Sequence, residues 1–262
     1  MSNLVQAVWV ELLKARRSRV PFFTALGFSM VPLVGGFFMI ILKDPELARR
    51  VGLISVKAQM LAGVADWPTY LGFLAQATAV GGSLIFSLIG SWVFGREYSD
   101  RTLKDLLALP TSRYAIVLAK FIVVMLWSAG LVVILYFLGL VVGQAVDLPP
   151  APAEVFWQGT QTLIVTAGLT IALVTPIAFF ASAGHGYLPP MGVALLFFAL
   201  AQVIAIVGYG EYFPWSIPAL YSDISGNQAA AIGGMSFVIV ILTGLAGITS
   251  TLLWWELADQ TY

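Results

Sequence analysis

Six stretches of the chain are apolar almost without interruption: about 21–42, 70–94, 114–142, 155–181, 189–208 and 230–255. Each is long enough to cross a bilayer as a helix, which takes about 20 residues. Strand-like alternation is missing from all six, so the pattern predicts helices and argues against a β-barrel. The first starts too late and runs too long for a secretory signal peptide and is expected to stay in the mature chain. Two further stretches carry a one-sided helical pattern. In residues 3–14, Leu4, Val5, Val8, Trp9, Leu12 and Leu13 gather on one side, and Asn3, Gln6, Glu11 and Lys14 fall opposite. This predicts an interfacial helix along the inner leaflet, with Arg16, Arg17 and Arg19 near anionic headgroups and Pro21 opening the first span. After the first span, Asp44-Pro45 reads as a helix start, and Leu47, Val51, Ile54, Ala58 and Leu61 follow at spacings of four and three. That pattern predicts an amphipathic helix on the outer surface, a structural lid or a ligand cover.

The stretch between the second and third runs is the most informative. From Asp100 to Leu109 it plots as a short helix with Leu103, Leu106, Leu107 and Leu109 on one face and Asp100, Arg101, Lys104 and Asp105 on the other. Ser99 or Asp100 serves as its N-cap, and Pro110 stops it. Two readings stand on composition: the apolar ridge fills a groove on a partner protein, or the loop packs against its own bundle. Between the fifth and sixth runs, residues 209–229 hold Tyr209, Tyr212, Phe213, Trp215 and Tyr221 with Pro214 and Pro218. Amphipathic rings prefer headgroup depth, so a broken, re-entrant outer segment is expected, either a substrate gate (Tyr212, Phe213, Trp215) or an interfacial plug. Thr175-Pro176 predicts a kink in the fourth span, and Gly139-x-x-x-Gly143 permits close helix approach, with dimerisation as one use. His185, in the short turn Gly184-His185-Gly186-Tyr187, is assigned no chemistry.

Composition narrows the class. Of 262 residues, 60% are hydrophobic and 10% charged, against about 25% charged in an ordinary soluble domain, and mean hydropathy is +0.93. A soluble globular protein and a disordered chain are both excluded. No cysteine is present, so disulfides and thiolate metal sites are out. All 13 Lys and Arg lie at or before Lys120, while six of the 13 acids follow it. Nucleic-acid binding needs a basic stripe on a solvated domain, and none exists here. The spans hold no acid and one base, Lys120, which disfavours an ion-coupled carrier and an intramembrane enzyme. No Lys follows a Gly, so the end of a P-loop is missing. The bases at 14–19 and 96–113 fall two spans apart and are expected on the cytoplasmic side, with both termini there. Lys43, Arg49, Arg50 and Lys57, nearly balanced by Asp44, Glu46 and Asp66, are placed outside. Gln76, Thr78, Ser83, Ser87 and Ser91 in the second span and Gln202 in the fifth either bond neighbouring helices or line a path; Gln76, Ser83, Ser87 and Gln202 are taken as candidates for the latter.

The run Gly95-Arg-Glu-Tyr-Ser-Asp-Arg-Thr-Leu-Lys-Asp-Leu-Leu-Ala-Leu-Pro-Thr-Ser-Arg113 resembles the first cytoplasmic loop of ABC type-2 transporter permeases, where a glutamate, a Thr-Leu pair, a double leucine and a Pro-x-Ser-Arg ending recur. The motif covers 94–120, and the architecture covers essentially the whole chain. The resemblance is nearest to bacterial permeases of bacitracin- and lantibiotic-resistance exporters. It implies an all-α membrane protein: six spans, an N-terminal elbow helix, a short cytoplasmic coupling helix and a re-entrant outer segment, all in one permease domain over 1–262. It also implies an exporter subunit of the bacterial inner membrane moving an amphipathic, peptide-antibiotic or lipid-like substrate. Partners would be two ATPase subunits, which carry ATP and Mg, and a second permease, identical or not, within membrane lipid. The chain itself would hold no cofactor, metal or catalytic residue. The coupling residues it implies are Glu97, Asp100, Thr102, Leu103, Leu106, Leu107 and Arg113, with the leucines seated in the ATPase and Glu97 and Arg113 fixing the loop at the membrane. The alternative is a non-transporting sensor or assembly factor that holds a partner through 96–113.

Overall fold

The computed structural model describes residues 3–44, 64–108, 111–222 and 232–257, with only the backbone at Leu107. The expected surface helix at 45–61 lies outside the described residues, as do Leu109 and Pro110. Among the described residues every element is helical. They are α1 (Asn3–Arg17), α2 (Val20–Lys43), α3 (Trp67–Ser99), α4 (Leu103–Leu107), α5 (Arg113–Ala145), α6 (Ala153–Ala172), α7 (Val174–Ala183), α8 (Leu188–Ile206), α9 (Ile217–Tyr221) and α10 (Gly234–Leu257). Two 3₁₀ turns, Gly210–Tyr212 and Pro214–Ser216, precede α9. Six spans result, with α6 and α7 together forming one.

The apolar runs become spans because a bilayer satisfies no backbone group, so each segment must bond internally as a helix. The central span is α3, which packs against α2, α5, α6, α7 and α8. The outer spans present bare apolar rows, such as Phe22, Phe37 and Phe38 on α2, Phe137 on α5 and Leu245 on α10, all exposed as hydrocarbon contact requires. Lipid supplies no hydrophobic drive between spans, so packing and hydrogen bonds hold them together. Aromatic donors supply several ties: Tyr70 Oη to the Pro32 carbonyl at 3.0 Å, Trp127 Nε1 to Thr24 Oγ1 at 3.2 Å, and Trp255 Nε1 to Ser182 Oγ at 2.9 Å.

The fourth span bends where the sequence predicts. Pro176 has no N–H for the Ala172 carbonyl, so the helix breaks at Leu173 between α6 and α7. The Thr175 hydroxyl, with one proton, lies 2.9 Å from that carbonyl and 2.7 Å from the Gly244 carbonyl of α10. The backbone of α10 presses on the bend at Gly247, where a Cβ would stand 2.3 Å from the Pro176 nitrogen. Gly139 and Gly143 serve a similar purpose within the chain: Leu74 and Trp67 of α3 occupy the space their side chains would take. The Gly-x-x-x-Gly pattern is therefore spent on the α3–α5 contact.

Candidate functional site

The helix α3 does not stop where its apolar run stops. It continues through Arg96 and Glu97 to Ser99, placing both charges inside the helix rather than in the loop. They are buried, and so are Glu11 and Lys120 from two other elements, while Lys14 is partly buried. Glu97 Oε1 lies 2.8 Å from Lys120 Nζ of α5, 3.1 Å from Lys14 Nζ of α1 and 3.5 Å from Arg96 Nε. Glu11 of α1 pairs with Lys14 at 2.6 Å, Lys120 at 3.3 Å and Arg96 at 3.8 Å. The Lys120 ammonium is completely buried and also donates to the Val93 carbonyl at 2.8 Å. The Arg96 guanidinium lies 4.7 Å from the Trp92 ring centre. Three cations thus share two carboxylates, and Glu97 Oε2 has no hydrogen-bond partner.

The apolar side of α1 is bare, as for a helix that meets lipid, and the cluster gives its opposite side partners within the protein. Glu11 and Ala15 form its buried side, while Val5, Trp9 and Leu12 are exposed. The polar face turns to the protein because it finds carboxylate and ammonium partners there, which leaves the apolar face for lipid. Sequence periodicity did not find Glu11. Lys120 was the available signal, since an ammonium buried among helices demands a carboxylate at its own depth.

The turn out of α3 is fixed by backbone bonds. Asp100 is the C-cap of α3, not the N-cap of the next helix, and Arg101 takes a left-handed conformation at φ 57°. The Arg101 N–H donates to the Tyr98 carbonyl at 3.2 Å and the Thr102 N–H to the Glu97 carbonyl at 3.0 Å, a Schellman motif. The following helix is therefore shorter than its pattern suggests. Its N-cap, Thr102, makes no side-chain capping bond. Leu103 is only 8% exposed and Leu106 is half-buried, both packed on the protein's own core. Asp100, Arg101, Thr102, Lys104 and Asp105 are exposed. Of the predicted ridge, then, Leu103 and Leu106 turn inward, the Leu107 side chain is outside the described residues, and a polar face is what α4 presents. Across a cavity of about 180 Å³, Leu106 and Thr111 face Gln6, Val10 and Glu11 of α1.

Arg113 lies apart from the charged cluster. Its Nη1 donates to the Trp255 and Glu256 carbonyls at 3.1 and 3.4 Å, neutralising the C-terminal end of α10. His185, also left-handed at φ 51°, has its ring 5.0 Å from that of Tyr98. Beside it, burial and then the Asp100 carboxylate push the Tyr187 phenol above its ordinary pKa.

The remaining sites fall at mid-depth or toward the opposite end. Gln76 Oε1 accepts from Ser222 Oγ at 2.7 Å, tying the segment after α8 to α3. Ser83 bonds the Ala79 carbonyl of its own helix, Ser87 is buried, and Gln202 is exposed on α8. Trp215 stacks on Phe197, midway along α8, with ring centres 4.1 Å apart, and Phe213 lies 5.7 Å from Trp215. Tyr212 is exposed. Tyr212, Phe213 and Trp215 therefore lie together across two successive 3₁₀ turns, while Gln76, Ser83 and Ser87 lie along α3 and Gln202 stands on another helix.

A model of the ABC-2 family transporter proteins matches residues 7–201, a stretch that takes in most of α1, the charged cluster and α4. The chain belongs to the ABC-2 transporter family. It is a membrane permease subunit of an ABC transporter. The permease is also 28% identical over 180 residues to the bacitracin transport permease protein BCRB of Bacillus licheniformis, a match covering 67% of this chain and 84% of that one.

Proposed function

We propose that the permease is the exporting half of an ATP-driven transporter in the bacterial inner membrane, with both termini cytoplasmic and α4 as the docking point for a separate ATPase. The observation that carries the reading is the exposed polar face of α4, held rigidly to the end of α3 by the Arg101 turn. A five-residue helix with its leucines inward is suited to meet a partner through Asp100, Arg101, Lys104 and Asp105, while Leu103 and Leu106 transmit its displacement into the bundle. The ATPase supplies nucleotide and magnesium chemistry. Two ATPase copies and a second permease complete the assembly, and Gln76 and the Tyr212–Trp215 turn belong to the outward path.

The similarity to a bacitracin transport permease makes an amphipathic peptide antibiotic the first substrate to try. The test is purification from native membranes in mild detergent, together with bacitracin susceptibility of cells carrying or lacking the chain. A stoichiometric ATPase that is lost with Asp105→Lys, and a rise in susceptibility in that variant while membrane insertion persists, is the expected result. A chain that purifies alone and leaves susceptibility unchanged overturns the exporter reading in favour of a sensor or assembly factor.

A further inference from the structure

The buried cluster contains more than an anchor for one loop. Glu97 belongs to two circuits at once. Its carbonyl closes the turn into α4 through Thr102, and its carboxylate holds Lys14 of α1 and Lys120 of α5. Any displacement of α4 relative to the bundle therefore acts on Glu97 and, through its side chain, on two further helices. The bonding is lopsided: three cations share Oε1 while Oε2 has no hydrogen-bond partner. Glu97 Oε2 is thus an acceptor the cluster leaves unfilled. Lys14, at 28% side-chain exposure, is the least enclosed of the cations around Glu97. Glu11 also keeps α1 attached, since it bonds Lys120 as well as Lys14.

We infer that Glu11 and Lys120 are positioning residues of the transport cycle: they form a charged joint through which α4 moves the N-terminal helix and the third span together. This rests on α4 being the ATPase docking point.

The test uses the complete permease–ATPase complex. Because the chain has no cysteine, Gln6→Cys and Leu188→Cys, both on exposed positions, accept one pair of spin labels per permease chain. The α1–α8 distance is measured nucleotide-free and after trapping with ATP and vanadate, in the wild type, in Lys120→Met and in Glu11→Gln. Lys120→Met matches volume and leaves two cations facing two carboxylates, so the cluster becomes balanced; Glu11→Gln keeps the shape and an acceptor oxygen for Lys14 and Lys120, which an alanine would not, and is the second variant. The wild-type distance is expected to shift on trapping. In the variants the shift disappears and bacitracin export falls roughly tenfold, the equivalent of about 1.4 kcal/mol, while ATP hydrolysis stays within about twofold, a split that loss of folding does not produce. A wild-type complex that moves, with both variants moving and exporting equally, overturns the joint alone. A wild-type complex that hydrolyses no ATP and shows no movement overturns the docking reading beneath it.

Discussion

Arg101, Asp147 and His185 take left-handed conformations at helix ends where glycine is the usual choice, and Gly208 takes a fourth. Each closes the same pair of bonds, as between Gly208 and Ala205 and between Tyr209 and Ile204. An L-residue pays about 1–2 kcal/mol there, and glycine adds back about 0.5–1 kcal/mol of chain entropy. Arg101→Gly is therefore expected to raise stability by about 0.5–1 kcal/mol, read as a higher thermal midpoint of the purified permease. Gly208→Ala, at φ 90° with open space around the added Cβ, is expected to lower it by about 1 kcal/mol. The buried charges have higher stakes. Removing one partner from such a set leaves the others desolvated and costs about 3–5 kcal/mol, so Glu97→Ala, which leaves three cations facing Glu11 alone, is expected to abolish accumulation of folded protein in membranes. These residues show where sequence reading fails. Nothing in the chain marks Arg101 as a helix stop, because the usual marker is the glycine it replaces. Glu11, Glu97 and Lys120 come together across distances in sequence that no local period encodes.

At the scale of elements the sequence was far more readable. Six apolar runs became six spans within a few residues, because a bilayer leaves a long apolar segment no other structure. The Pro176 bend was legible for the same kind of reason, since a missing N–H acts locally. The direction of an amphipathic face was not. Leu103 and Leu106 give the same pattern whether they meet a partner or their own core, and the period of α1 does not say that Glu11 and Lys14, opposite its apolar side, meet charged partners in the protein. The glycine crossing of α7 and α10 offers a clean test. Gly247→Ala drives a Cβ into the Pro176 backbone, and overpacking of this sort costs about 1–3 kcal/mol. Gly81→Ala, with nothing within 4 Å, gains helix propensity instead. Thermal unfolding of the two variants side by side is expected to shift in opposite directions.

For the whole molecule, α3 is the shared support. Its far half carries Gln76, bonded to Ser222 of the segment after α8, and its near end carries Arg96, Glu97 and the turn into α4. One continuous helix therefore carries ties near both its ends, and on the proposed exporter reading Gln76→Leu is expected to reduce export several-fold while leaving ATPase association unchanged, measured by copurification. The bare apolar rows on α2, α5, α8 and α10 explain why the fold requires a bilayer: in water they would be an aggregation surface.

The inward-facing polar side of α1 has a consequence for how the chain is made. Synthesis delivers residues 3–17 well before the partners that hold this helix, Arg96, Glu97 and Lys120, which emerge about a hundred residues later. Contacts form during synthesis in the order their partners become available, so α1 settles only after α2, α3 and the start of α5 have been made. A nascent chain arrested before residue 120 is expected to leave its N-terminal segment open to protease, and one arrested after the third span has inserted to protect it.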